Sequence, residues 1–178
     1  MQQLLKHSWV QQLSAIYCSE EQKAIDGAEI LAANCSMPYT KVTALGENDR
    51  SSTGFLAPDE FELTADQFFA WPDQSIRGWE TAKAAQSRIV AAVVGIVRTD
   101  LTGGAIAIVS HGAVGTLLYC YLTKKQIDRR WDQPGSGGGN YLRISIQRDE
   151  LDSDAYEGNS SAREFGSSVT CSWWEPID

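Results

Sequence analysis

Histidine is scarce in this chain: 178 residues hold only two, His7 and His111. Chemistry that needs an imidazole therefore has two places to reside. Arginine is absent from everything before Arg50, and the 15 basic residues are outnumbered by 23 acidic ones, for a formal net charge of -8. Such a surface repels a nucleic-acid backbone or an anionic membrane at long range, so neither is expected as a partner. No apolar run reaches the length of a membrane span, and the opening M-Q-Q-L-L-K-H-S-W lacks the layout of a secretory signal. A cytoplasmic protein is expected. The four cysteines, Cys18, Cys35, Cys120 and Cys171, have no metal-ligand spacing and read as free thiols, so neither a metal nor another cofactor is expected. Internal repeats and linker-like stretches are also lacking, which makes residues 1–178 a single domain.

What is present is organised around Ala105 to Gly115, A-I-A-I-V-S-H-G-A-V-G. The β-branched run Ala105 to Val109 predicts a buried strand, and Val114, Leu117, Leu118 and Tyr121 fall at helical spacing after it. His111 then lies on a strand-to-helix turn, and the amides of Gly112 and Ala113 open a helix where an anion is favoured. Upstream, the spacing predicts a helix over Gln3 to Leu13, a strand over Ser14 to Cys18, and a helix capped by Ser19 that runs to about Asn34. A strand over Lys41 to Leu45 leads into the polar loop E-N-D-R-S-S-T-G, Glu47 to Gly54, which reads equally as a binding loop or a merely solvated one. Helices follow from Pro58 to Trp71 and from about Gly78 to Val97. The run Q-P-G-S-G-G-G-N, Gln133 to Asn140, precedes strand-like residues Tyr141 to Ile146 and is read as a flexible turn, not a nucleotide loop. The segment Arg148 to Gly166 is polar and expected to be exposed, and Ser168 to Trp174 predicts a last strand.

Several of these stretches together resemble the histidine phosphatases, the phosphoglycerate mutase-like superfamily. I-V-S-H-G-A-V-G, Ile108 to Gly115, resembles the family's second histidine motif. C-S-E-E-Q-K-A-I-D-G-A, Cys18 to Ala28, is similar to its S-x-x-x-R-A-x-x-T-A helix start, with Lys23 in the arginine's place and Gly27 in the threonine's. Glu47 falls where the family carries its acidic residue, and F-F-A-W-P-D-Q-S-I-R-G-W-E, Phe68 to Glu80, resembles the segment that ends in G-x-E before a long helix. The resemblance implies an α/β fold: a three-layer α/β/α sheet with helices on both faces, here without the family's first strand. It also implies phosphomonoester chemistry through a phosphohistidine, with a small phosphorylated molecule or inorganic phosphate as ligand. On that basis His111 is a donor to the phosphoryl oxygens and Glu47 the general acid. Lys23, Arg50 and the Gly112 amide would hold the phosphate.

The family's Arg-His-Gly triplet has no counterpart in these residues. His7 sits in K-H-S-W, inside a helical pattern. The chain as given is therefore expected to lack appreciable phosphatase activity, and a non-catalytic phosphate-binding or interaction domain is the alternative. If the strand bearing the first histidine belongs between the strand before Ser19 and the strand before His111, its absence leaves a slot, which a second copy could fill to give a homodimer.

Overall fold

The computed structural model describes residues 2–135, 139–146 and 169–177. Its centre is β1, Leu13–Cys18, followed by α1, Gln22–Cys35, and by the short β2, Thr40–Lys41, which pairs parallel to β1. Next come α2, Pro58–Ala70, and α3, Ala82–Thr99, and the chain then returns as β3, Ala105–Val109, which runs into α4, Gly112–Leu122. The sheet order is β2-β1-β3, all parallel.

Side chains alternate across this sheet as a strand's two-residue period requires. Ile106 and Ile108 of β3 pack with α2, α3 and α4 in a core built around Phe68, Ile89, Val94, Val114 and Leu117. Ala107 and Val109 face the opposite side, where Ile16 and Cys18 meet Ala24, Ala28 and Leu31 of α1. Helices therefore cover both faces, as a parallel sheet demands. No helix among the described residues is long and apolar enough to cross a membrane.

The slot between the strands does not exist. β1 and β3 pair directly, from Leu13 opposite Ala105 to Cys18 opposite Val109, and Ser19 N–H continues the ladder to the Val109 carbonyl at 3.1 Å. Direct pairing satisfies the backbone groups that a gap would have stranded, so the slot gives no reason to expect a second copy. Among the described residues the outer sides of β2 and β3 are the sheet's two edges and carry no strand partner.

Other departures are local. The opening helix is two 3-10 turns, Leu4–Lys6 and Ser8–Gln12, broken by an extended His7. Helix α1 starts at Gln22, three residues after Ser19, because Ser19 is drawn into the site and accepts the Glu21 amide instead of capping the helix. After β2 the chain tightens into a 3-10 turn, Thr43–Leu45, that drops Leu45 into the core with no exposure. Helix α3 begins at Ala82, where Thr81 caps it by accepting the Ala84 amide. The strand expected over Tyr141 to Ile146 is two short pieces, β4, Asn140–Tyr141, and β5, Ile144–Ser145. They pair antiparallel with β7, Glu175–Pro176, and β6, Thr170–Cys171. The polar segment Arg148 to Gly166 lies outside the described residues.

Candidate active site

Adjacent parallel strands end side by side, and both β1 and β3 release their chains at the same edge of the sheet. Ser19 leaves β1 and His111 leaves β3, so their side chains meet: Ser19 Oγ lies 2.7 Å from His111 Nε2. Ser19 is fully buried and His111 is 7% exposed. This is the carboxyl end of the strands at the point where the connections diverge to either side of β1, the place where open α/β sheets bind ligands.

Helix α4 begins immediately after His111, with Gly112 as its first residue. Its third-residue amide, Val114 N–H, donates to Glu47 Oε1 at 3.2 Å, and Asn48 N–H donates to the same oxygen at 3.3 Å. The Glu47 carboxylate thus sits at the positive end of α4, which stabilises a negative charge there. Its other oxygen has no hydrogen-bond partner among the described residues. Glu21 completes the group. Its Oε1 accepts the Glu47 amide at 2.7 Å and lies 3.3 Å from His111 Nε2. Nε2 shares its hydrogen bond with Ser19 Oγ, and either atom can donate, according to the tautomer of the ring.

Burial pushes the His111 imidazole below its ordinary value of 6.5; Glu47 and Glu21 pull it upward, and Lys23 and Arg50 push it further down. The ring is therefore neutral at pH 7, so the Glu21 carboxylate is a close neighbour and not an ion-pair partner, and the hydrogen bond of Nε2 is the one with Ser19 Oγ. A neutral ring that presents Nε2–H can donate to a phosphoryl oxygen without adding a fixed charge.

The loop that carries Glu47 is held from below by Arg88 of α3, a residue that sequence reasoning missed. All five of its N–H donors are used. Nε and Nη2 grip Glu80 at 3.0 and 2.7 Å, Nη1 donates to the Ala44 and Gly46 carbonyls at 2.9 Å each, and Nη2 also donates to the Glu47 carbonyl at 3.1 Å. Glu80 in turn accepts the Asp49 amide at 3.2 Å and donates its own amide to the Asp49 carbonyl at 2.9 Å. The G-x-E pattern signals Glu80, whereas no motif marks Arg88. Nor does the sequence single out Glu21, and it marks Ser19 only as a helix cap.

The other expected site residues are placed as follows. Arg50 lies flat against two rings, its guanidinium 5.2 Å from the Phe61 centroid and 5.7 Å from Trp79, and it borders a cavity of about 720 Å³ together with Glu21 and Glu47. Lys23, on the first turn of α1, is exposed and does not line that cavity; its charge reaches His111 without a direct contact. Gly112 opens α4 beside His111, and Gly115 matters for packing, since a Cβ there would fall 2.7 Å from the Trp174 ring. His7 is away from this group, packed against Trp9 and Tyr141. No group of three or more potential metal ligands occurs among the described residues.

The arrangement has the strand-end histidine, the carboxylate at the helix start and the G-x-E support of one superfamily, and the family model for the histidine phosphatase superfamily (branch 1) matches residues 1–157. The chain belongs to the histidine phosphatase superfamily. Solved structures of similar fold include three bacterial proteins. YhfR of Bacillus stearothermophilus is 24% identical, with 82% of this chain and 74% of that one covered and a TM-score of 0.67. A mycobacterial glucosyl-3-phosphoglycerate phosphatase is 20% identical, with 82% and 77% covered and a TM-score of 0.62. The α-ribazole phosphatase of Shigella flexneri is 20% identical, with 83% and 76% covered and a TM-score of 0.57. The mycobacterial phosphatase is also solved in complex with inorganic phosphate, at 19% identity, 80% and 74% covered and a TM-score of 0.63. No curated protein matches the chain.

Proposed function

We propose that this chain binds the phosphoryl group of a small phosphomonoester, or inorganic phosphate, at the start of α4, and supplies the proton-donating and charge-stabilising half of a phosphatase site. The observation that carries this reading is the single cluster formed by Glu21, Glu47 and His111. Glu47 Oε1 is fixed by the Val114 amide, and Glu21 Oε1 joins the Glu47 amide to His111 Nε2. With one oxygen occupied by amides, the other oxygen of Glu47 is the one available to carry a proton to a departing alkoxide, the role of a general acid. His111 Nε2–H and the Gly112 amide would donate to the phosphoryl oxygens, where charge grows as the ester bond breaks. Arg50 supplies the positive charge nearest the cavity, and Lys23 adds a weaker attraction from the surface.

Attack on phosphorus needs a nucleophile, and these residues do not supply one. His111 is engaged with Ser19 and Glu21, and His7 is packed against Trp9 and Tyr141. Losing a covalent nucleophile leaves only the residual catalysis of the remaining groups. We therefore expect these 178 residues to bind phosphate without appreciable turnover. Free thiols at all four cysteines are in keeping with a reducing, cytoplasmic setting. The reading needs no nucleic acid, no membrane and no second copy of the chain.

The test is hydrolysis of p-nitrophenyl phosphate from mildly acidic to neutral pH. No turnover on the scale of about one per second, the lower end for ordinary enzymes, is expected. Turnover at that rate that disappears in His111→Ala would show that the nucleophile is already among these residues.

A further inference from the structure

The cavity beside Glu47 holds a group that phosphate binding leaves unused. Asn48 lines this cavity and is 4% exposed, and its Nδ2 is buried with no hydrogen-bond partner among the described residues. A buried donor without an acceptor is costly, and a water or a ligand hydroxyl reaching Asn48 would relieve that cost. The cavity wall is mixed. Leu56, Phe61 and Trp79 give it apolar faces, while Glu21, Asp49 and Glu62 also border it. Arg50 is the one cation among its lining residues.

Charge decides what can fill such a space. The Glu62 charge is offset outside the cavity by Arg129. Asp49 makes no ion pair among the described residues and feels Arg88 only at a distance, and its hydrogen bonds from Ser51 hold its carboxyl below the ordinary range, so it stays ionised at neutral pH. Glu21 is half exposed, accepts the Glu47 amide and lies 3.3 Å from the neutral His111 ring. Once Arg50 is matched by a phosphate dianion, no lining cation remains for a second anionic group, which would face Asp49 and Glu21 directly. A hydroxyl group meets no such penalty. It can accept from Asn48 Nδ2 and donate to a carboxylate, and the C–H face of a ring that carries it can lie on Leu56 or the exposed Phe55.

Building on the phosphate-binding reading, we propose that the body esterified to the phosphate is an uncharged, hydroxyl-bearing group with an apolar face, and that a ligand with a second anionic group is disfavoured. Asn48 and Asp49 are the residues that read this difference. A cavity of about 720 Å³ is ample for such a ligand.

The experiment is an NMR titration of the 178-residue chain with inorganic phosphate, glucose 1-phosphate and 3-phosphoglycerate in turn. Glucose 1-phosphate should bind at least about tenfold more tightly than 3-phosphoglycerate, from the cost of one uncompensated like-charge contact. It should shift the Asn48 side-chain amide, which inorganic phosphate alone leaves in place. Asp49→Asn, which keeps the shape and the acceptor for Ser51, should narrow the gap by tightening 3-phosphoglycerate. If phosphate moves the His111 resonances but 3-phosphoglycerate binds as tightly as glucose 1-phosphate, this proposal fails and the phosphate site stands. If phosphate leaves His111 unmoved, the phosphate site fails and this proposal goes with it.

Discussion

Replacing Arg88 with methionine removes a fork that ties α3 to the Glu47 loop while preserving most of the aliphatic volume. The wild-type side chain makes five hydrogen bonds, two to Glu80 and three to the carbonyls of Ala44, Gly46 and Glu47. The Arg88 and Glu80 side chains are 26% and 18% exposed, so the pair is shielded enough to escape most solvent screening. Breaking a buried ion pair from one side costs about 3–5 kcal/mol, because the partner charge stays behind uncompensated. Water can reach part of this pair and can take over some of the loop carbonyls, which places the expected loss near the lower end, about 3 kcal/mol. Arg88→Lys keeps the charge but cannot reproduce the planar fork, and should recover less than half of that loss. Urea unfolding followed by tryptophan fluorescence gives the comparison, and adding Glu80→Gln to Arg88→Met should restore about 1 kcal/mol by removing the orphaned charge. A loss below about 1 kcal/mol for Arg88→Met, the size of an ordinary surface pair, would refute the idea that this fork holds the loop.

Stability should fall as the pH drops below 6.5. The His111 value is depressed in the folded state, so the unfolded chain binds the extra proton, and its contribution is complete above 6.5 and lost as pH falls toward the folded value. His111→Gln should flatten that slope in pH-dependent urea unfolding, and an unchanged slope would assign it to other groups. Glu21 places a carboxylate oxygen 3.3 Å from His111 Nε2, where a phosphoryl oxygen would otherwise bind. Glu21→Gln should therefore tighten inorganic phosphate about fivefold, the equivalent of about 1 kcal/mol for one solvent-screened like charge, and weaker binding in calorimetry would count against a shared position. Gly115→Val should cost about 2 kcal/mol by overpacking against the buried Trp174 ring, read as a lower thermal midpoint. An unchanged midpoint would place Trp174 elsewhere.

Much of this was legible in the chain because it depends on local pattern. The strand and helix around His111 follow from a β-branched run and a helical repeat, and the observed Ala105–Val109 and Gly112–Leu122 agree with them. The loop that carries Glu47 follows from an apolar stretch ending in polar residues, whereas Glu47 itself is singled out by the family resemblance. Other features depend on contacts that no local pattern encodes. Ser19 looks like a helix cap until β1 and β3 are known to be neighbours, and then its hydroxyl is bound to His111. Arg88 lies 41 positions from the Glu47 carbonyl that it holds. The strand order was misplaced for the same reason: nothing in Ser14 to Cys18 says which strand lies beside it, and only the ladder to Ala105–Val109 does. The N-terminal apolar spacing is helical, but an extended His7 breaks the run into two 3-10 turns before β1.

The central claim is that phosphate binds at the start of α4 through His111 and Arg50. The most direct measurement is a ¹H–¹⁵N titration with inorganic phosphate at pH 7, following the His111 ring nitrogens, the Gly112 amide and the Arg50 Nε–H together. The account predicts that all three move along one saturating curve and that Arg50→Ala weakens the curve at least several-fold. A titration that moves the His7 ring while His111 and Gly112 stay fixed would contradict it.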